Sequence, residues 1–291
     1  MKLKSSLAIV GLAVSSAVSA QTVYPWMSSE VGAAWKLGYK GQGTTITVID
    51  DFKSRSLIQG NLTGVVQIGR HGQWTATEAK LVAPSATLRV QDYSSGTAIP
   101  LAKGLNVINL SYGMMAPKGY TTVGWAAQES SIINHARLGA AVISKAAGND
   151  GGIAVGAVTR TGTIDYLNRD LIGAKTAIFV GALDSNGTTV KPAKIASYSN
   201  IAGANINVQK QFLVVGVEAN KTGLAGTSFA APIVTGYTAI LGSKFTAATP
   251  VQITNQLLNT ARKDTISGYN VAVHGRGEAS LTRALAPVSI K

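Results

Sequence analysis

Thr44-Thr45-Ile46-Thr47-Val48-Ile49-Asp50 is the stretch that decides the fold. Its β-branched residues first alternate polar with apolar and then run on without a break, as a strand entering a buried sheet does. Similar short apolar runs recur at 105–109, 141–144, 178–180 and 212–217. Between them lie stretches at helical spacing: 31–37 behind Ser29-Glu30, a run opening at His71 towards Pro84, 121–138 stopping at Gly139, 228–241, and 250–262 with Ile253, Leu257, Leu258 and Ala261 on one face. Strands alternating with helices predict βαβ units, so the expected class is α/β, a three-layer α/β/α domain with a mainly parallel central sheet.

Outward from that frame, the ends of the chain differ in character. Met1-Lys2-Leu3-Lys4 is a short positive head, 7–18 is apolar, and Val18-Ser19-Ala20 supplies small residues for cleavage. This predicts a Sec-type signal peptide over 1–20, removed near Ala20, and a secreted product, extracellular or periplasmic. Residues 21–291 are expected to form one domain with no evident pro-domain ahead of it. No later run is long enough to span a bilayer, so no membrane association is expected once the signal is gone.

The chain has no cysteine, which excludes disulfides and thiolate metal sites. Apolar residues at 46% and 32 glycines suit a close-packed core instead. The formal charge is +13, yet the 26 basic residues are scattered and only 13 acidic ones oppose them. That pattern is a surface property rather than a nucleic-acid footprint, and no nucleic-acid partner is expected.

In an open parallel sheet, functional groups gather beyond the carboxyl ends of strands. Asp50-Asp51, Asn109-Leu110-Ser111-Tyr112-Gly113 and Ala146-Ala147-Gly148-Asn149 all sit at such ends. Turn chemistry would equally account for Asp50 or Asn149 taken singly. Adjacent strand residues point to opposite faces, so only one of Asp50 and Asp51 can serve, and register favours Asp50. Of the histidines, His135 falls on the polar face of a helix and His274 in a polar C-terminal stretch, where solvated or structural roles are expected. His71 opens a helix near the sheet rim. Gly226-Thr227-Ser228-Phe229-Ala230-Ala231-Pro232 places a hydroxyl where a glycine loop becomes a helix, with Pro232 expected in the first turn. A helix start offers free N–H groups to developing negative charge, although an ordinary N-cap would look alike. Ala230 breaks the G-x-S-x-G pattern of an α/β-hydrolase elbow.

Together these stretches resemble the subtilisin-like serine proteases (subtilases, peptidase family S8) over residues 25–287. Thr47-Val48-Ile49-Asp50 is similar to the aspartate strand, His71-Gly72 to the start of the histidine helix, and Val82-Ala83-Pro84-Ser85-Ala86-Thr87-Leu88 to the segment that follows it. Asn106-Val107-Ile108-Asn109-Leu110-Ser111-Tyr112-Gly113 resembles the substrate-binding strand, Ala146-Ala147-Gly148-Asn149 the oxyanion segment and 226–232 the nucleophile motif. The order Asp, His, Ser along the chain is subtilisin's own.

The resemblance implies a serine endopeptidase in which Ser228 is the nucleophile, His71 the base, Asp50 its orienting carboxylate and Asn149 the oxyanion donor. It implies that a peptide lies along Ser111, Tyr112 and Gly113, with Ala146, Ala147 and Gly148 as the other wall of a pocket roomy enough for a bulky apolar side chain. Protein or peptide substrates, a monomer and no cofactor are expected; structural calcium is conceivable for the family, but no ligand set is identified, and Asp184-Ser185-Asn186-Gly187 reads as a turn. One departure from the family pattern is Gly72-Gln73-Trp74 where Gly-Thr-His is usual, so packing behind His71 is expected to differ. The competing expectation is a catalytically silent subtilisin-like domain that binds peptides or a partner.

Overall fold

Alternate residues of each central strand serve two different cores. In β1 (Thr44–Asp50), Ile46 and Val48 enter one apolar cluster while Ile49 enters another. The same division runs through β5 (Leu105–Leu110), β7 (Val142–Ala146), β9 (Ala177–Leu183) and β10 (Phe212–Gly216), where Val107, Val142, Val180 and Leu213 face one side and Ile108, Ile143, Phe179 and Phe212 the other. A strand covered on both faces needs this unbroken apolar run. The computed structural model describes residues 21–290, so the signal peptide expected over 1–20 lies outside the described residues.

These strands, with β4 (Thr87–Asp92) at one edge, form a six-stranded sheet in the order β10-β9-β7-β5-β1-β4, every pair parallel. The first cluster is roofed by α1 (Ser29–Lys36), α2 (His71–Val82), α7 (Thr227–Lys244), α8 (Pro250–Asn259) and α10 (Leu281–Leu285). The second is covered by α3 (Ala127–Leu138), α4 (Tyr166–Leu171) and α5 (Ile206–Gln211). Helices on both faces of a mainly parallel sheet make the expected three layers. Two antiparallel pairs decorate this body: β2 (Ile58–Gly60) with β3 (Gln67–Gly69), and β6 (Met115–Pro117) with β8 (Thr163–Asp165). Short α6 (Ala219–Thr222) and α9 (Val271–His274) complete the elements.

α7 is buried along nearly its whole length, from Thr227 to Ser243. It is apolar all round, as a helix enclosed by its neighbours must be. It lies across β1, β5, β7 and β9 and packs against α2. Pro232 sits inside this helix rather than in its first turn. Two other boundaries differ from expectation. α3 starts at Ala127 rather than 121, with Ala126 in an extended conformation as its N-cap. β4 is an edge strand whose Arg89 and Val90 are exposed, so its sequence lacks the buried signature.

From β1 the chain first passes to β4 on one side and then to β5 on the other. The crevice where strand order reverses opens beyond the carboxyl ends of β1, β5 and β7, where ligand sites form in such sheets.

Candidate active site

β1 ends in Asp50, which is buried, and α2 starts at His71 directly above it. His71 Nδ1–H donates to Asp50 Oδ1 at 2.6 Å. A carboxylate only accepts, so in the neutral ring the hydrogen is on Nδ1 and the lone pair on Nε2. The carboxylate is held from two further sides: the Asp51 N–H donates to Oδ1 at 2.7 Å, and Thr75 Oγ1 donates to Oδ2 at 2.9 Å. Thr75 lies one helical turn beyond His71 and faces the same way. Asp51 points elsewhere, its oxygens taken by the N–H groups of Lys53 and Ser54 and by the Ser54 hydroxyl.

Gly72 lets the helix start so close to the strand end. Its N–H donates to the Asp51 carbonyl at 2.9 Å, and a Cβ there would come within 2.7 Å of that oxygen and 2.9 Å of the Phe52 ring. Gln73 and Trp74, which depart from the family pattern, each take a definite place. Gln73 Oε1 accepts the Arg70 N–H at 2.7 Å at the helix start, and the buried Trp74 indole donates to the Ile58 carbonyl at 2.9 Å. The β2–β3 hairpin is thereby anchored to the histidine helix.

Ser228 enters the same crevice from the first turn of α7. Gly226, with φ of 134°, makes the bend into that helix, a conformation L side chains avoid. The Ser228 hydroxyl donates to the Ser111 carbonyl at 3.1 Å, and no hydrogen bond joins it to His71 among the described residues. The two are nonetheless neighbours in space: the ring of Phe229, the next residue, has its centroid 5.4 Å from that of His71. Asn149 Oδ1 accepts both the Thr227 N–H, at 2.8 Å, and the Thr227 hydroxyl, at 3.0 Å. Those two donors fix the amide's orientation, so Nδ2 faces the other way and keeps its protons for another acceptor. The N–H of Ser228 is one of the orphan donors of the helix start.

Ser111, Tyr112 and Gly113, together with Ala146, Ala147 and Gly148, line a cavity of about 250 Å³ that Ser228 and Asn149 also line. Burial and the neighbouring Glu129 carboxylate push the Tyr112 phenol well above its ordinary value, so this wall stays neutral. The remaining lining includes Lys145, Asp165 and Asn168, none of which sequence reasoning singled out. Lys145 was open to notice, since a lone lysine inside a buried strand must find a partner. Its Nζ meets Asp165 Oδ2 at 3.1 Å. Thr75 was similarly open, four residues after His71. Asp165 and Asn168 carry no local signal beyond the helix cap that Asp165 makes for α4.

The other two histidines stand apart. His135 is half-buried, its Nε2 bonded to the Ile99 carbonyl at 2.9 Å rather than solvated. His274 is buried against Asn270, and burial lowers its pKa. Among the described residues no cluster of three or more His, Cys, Asp or Glu side chains is suited to a metal ion. No helix among them is long and apolar enough to cross a membrane.

Known proteins resemble this chain in sequence and in fold. Subtilisin Savinase of Lederbergia lenta is 29% identical over 274 residues, covering 83% of this chain and 92% of that protein. M-protease of Shouchella clausii is likewise 29% identical over 83% of this chain, which spans 65% of the length of that relative. Among solved structures, a lanthipeptide protease superposes with a TM-score of 0.60 at 17% identity, covering 90% of this chain and 93% of its own, a likeness of fold. Residues 57–277 match the Subtilase family, Peptidase S8, a span that opens after Asp50 and takes in His71, Asn149 and Ser228. The chain belongs to the subtilase family.

Proposed function

We propose that this chain is a secreted serine endopeptidase that cuts protein or peptide substrates through an acyl-enzyme, with Ser228 as nucleophile and Asp50-His71 as its activating pair. The observation that carries the reading is the 2.6 Å bond from His71 Nδ1 to Asp50 Oδ1, which leaves Nε2 free to take a proton near a cavity that Ser228 lines. In the unliganded site that hydroxyl rests on the Ser111 carbonyl. One χ1 step between staggered wells redirects it, and catalytic hydrogen bonds often tighten only when substrate binds.

Once redirected, Ser228 Oγ gives its proton to His71 Nε2 as it attacks the carbonyl carbon. Asp50 stabilises the imidazolium so formed, and Thr75 keeps Asp50 in place. The oxyanion falls to Asn149 Nδ2 and the Ser228 N–H, donors already aimed before reaction and therefore free of reorganisation cost. His71 then passes the proton to the departing amine, and water repeats the sequence in reverse to release the acid. Among the described residues the segment 111–113 continues past the end of β5 without a strand partner, so an extended substrate can pair with its backbone groups whatever its side chains. Export by a signal over 1–20, action as a monomer and catalysis without a cofactor complete the proposal.

The test is covalent. The protein treated with a sulfonyl fluoride should gain one adduct, on Ser228, and should cleave casein, while Ser228→Ala does neither. A wild-type protein as inert as the variant would leave the silent, peptide-binding domain as the better description.

A further inference from the structure

Two charged side chains on the cavity lining have no part in the proposed reaction. They are Lys145, the residue before Ala146, and Asp165, the last residue of β8 and the N-cap of α4. Their side chains are 1% and 12% exposed, so they are turned to each other rather than offered to a substrate. Lys145 Nζ donates to Asp165 Oδ2 at 3.1 Å and to the Ala146 carbonyl at 3.0 Å. Asp165 Oδ1 accepts the N–H groups of Met114, Leu167 and Asn168 at 3.0, 3.1 and 3.3 Å. One carboxylate thereby holds the segment 111–114 by its backbone and the segment 146–149 by the lysine that precedes it. The fit around Oδ2 is close, since a Cβ on Gly113 would come within 2.8 Å of it.

The same two segments are also joined at the start of α7. Ser111 Oγ donates to the Ser228 carbonyl at 2.8 Å, and the Gly148 N–H donates to Thr227 Oγ1 at 3.1 Å. The segments are thus tied twice, once through the helix that carries Ser228 and once through the buried ion pair. The second tie is a poor source of stability, because both ions give up their water and apolar residues of the same size would serve as well. What charged, directed hydrogen bonds do supply is a fixed separation.

Deepening the peptidase reading on which it rests, we infer that Lys145 and Asp165 are positioning residues, which fix the spacing of the two cavity-lining segments and through it the discrimination for a side chain in the residue before the cut bond. Neither has to touch the substrate. A peptide whose carbonyl sits at Ser228 and Asn149 places that side chain among residues 111–113 and 146–148, and it meets both segments at once only while their separation is held. Glycine at the same position places nothing there and does not sense the separation.

The experiment is a pair of internally quenched peptides that differ only in carrying Leu or Gly before the cut bond. Both are measured on the wild type and on Lys145→Met/Asp165→Asn, which removes the ion pair as a unit, with active enzyme counted by fluorophosphonate labelling of Ser228. In the wild type Leu should exceed Gly in kcat/KM by about a hundredfold, the scale of a fitted apolar contact. In the variant that ratio should fall by about tenfold, since a displacement of about 1 Å near the reacting atoms is worth up to about a hundredfold. A wild-type ratio near one overturns the inference, and so does a ratio that the variant leaves unchanged, even where both peptides slow together as they would for a merely structural pair. In those cases labelled Ser228 keeps the peptidase reading standing; no labelling of the wild type ends both. Should the double variant fail to fold, Lys145→Met serves alone, because Asp165 keeps its three backbone N–H partners, and the same fall is expected. A ratio taken within one preparation does not depend on how much of it is folded.

Discussion

Pro232 and Ser111 meet on a single atom, the carbonyl oxygen of Ser228. In an uninterrupted helix that oxygen would accept the N–H four residues on, but residue 232 is proline and has none. Ser111 Oγ donates to it instead, at 2.8 Å, and itself accepts the Asn109 amide at 3.0 Å. A strand end thus supplies the hydrogen bond that the helix lacks, and it does so at the residue bearing the proposed nucleophile.

The pair should therefore be energetically coupled. In a Ser228→Ala background, which prevents self-digestion, Ser111→Ala is expected to cost about 1–3 kcal/mol by leaving a buried carbonyl unpartnered. Pro232→Ala restores an N–H and should recover part of that loss, giving a coupling of about 1 kcal/mol in urea unfolding of the four proteins. Costs that simply add would mean that Ser111 does not serve the carbonyl.

Asp50→Asn preserves shape but presents an amide where His71 Nδ1–H needs an acceptor. Turnover should fall on the order of 10⁴-fold, the scale seen when a triad carboxylate is so replaced. Thr75→Val removes only the donor to Asp50 Oδ2, so about a tenfold loss in kcat is expected with KM unchanged. Thr75→Ser should rescue it; failure of that rescue would make Thr75 a packing residue only.

In the proposed mechanism Asn149 does two jobs with the two ends of one amide. Asn149→Asp keeps an acceptor for Thr227 while replacing the free N–H₂ by an oxygen that repels an oxyanion. kcat should drop by about 10²–10³, a magnitude taken from subtilisin's own oxyanion asparagine. The melting temperature should hold. A KM effect without a kcat effect would place Asn149 in ground-state binding.

Glu78, inside α2, is buried with Oε2 unpartnered among the described residues, and burial pushes its carboxyl well above the ordinary 4.5. The unfolded chain releases this proton near 4.5 while the folded one keeps it. Its contribution is therefore intact in acid and is lost as the pH climbs towards the folded value, at up to about 1.4 kcal/mol per pH unit. Glu78→Gln should abolish that decline, so the variant gains on its parent as pH rises from 4 to 8 in chemical unfolding. Parallel stability curves would mean that Glu78 is ionised in the fold.

The strands were legible because a sheet covered on both faces demands continuous apolar runs, and β1, β5 and β10 supply them. β4 was not, since an edge strand with one open face may carry Arg89 and Gln91 without penalty. Asp50, His71 and Ser228 were singled out by the family resemblance rather than by their places at element ends alone, and the structure brings Asp50 to His71 while the Ser228 hydroxyl rests on Ser111. The rest of the cavity lining was hidden for a different reason. Lys145, Asp165 and Asn168 acquire their meaning only when β7 and α4 are brought side by side, and no spacing along the chain encodes that meeting.

α7 is at once the innermost helix of the domain and the mount for Ser228. Few residues along it can change without disturbing the packing that aims the hydroxyl, so heat inactivation and global unfolding should be one event rather than two. On the proposed reading, variation in what the protein cuts would fall to the far wall of the cavity, where residues can be exchanged without touching the helix that carries Ser228.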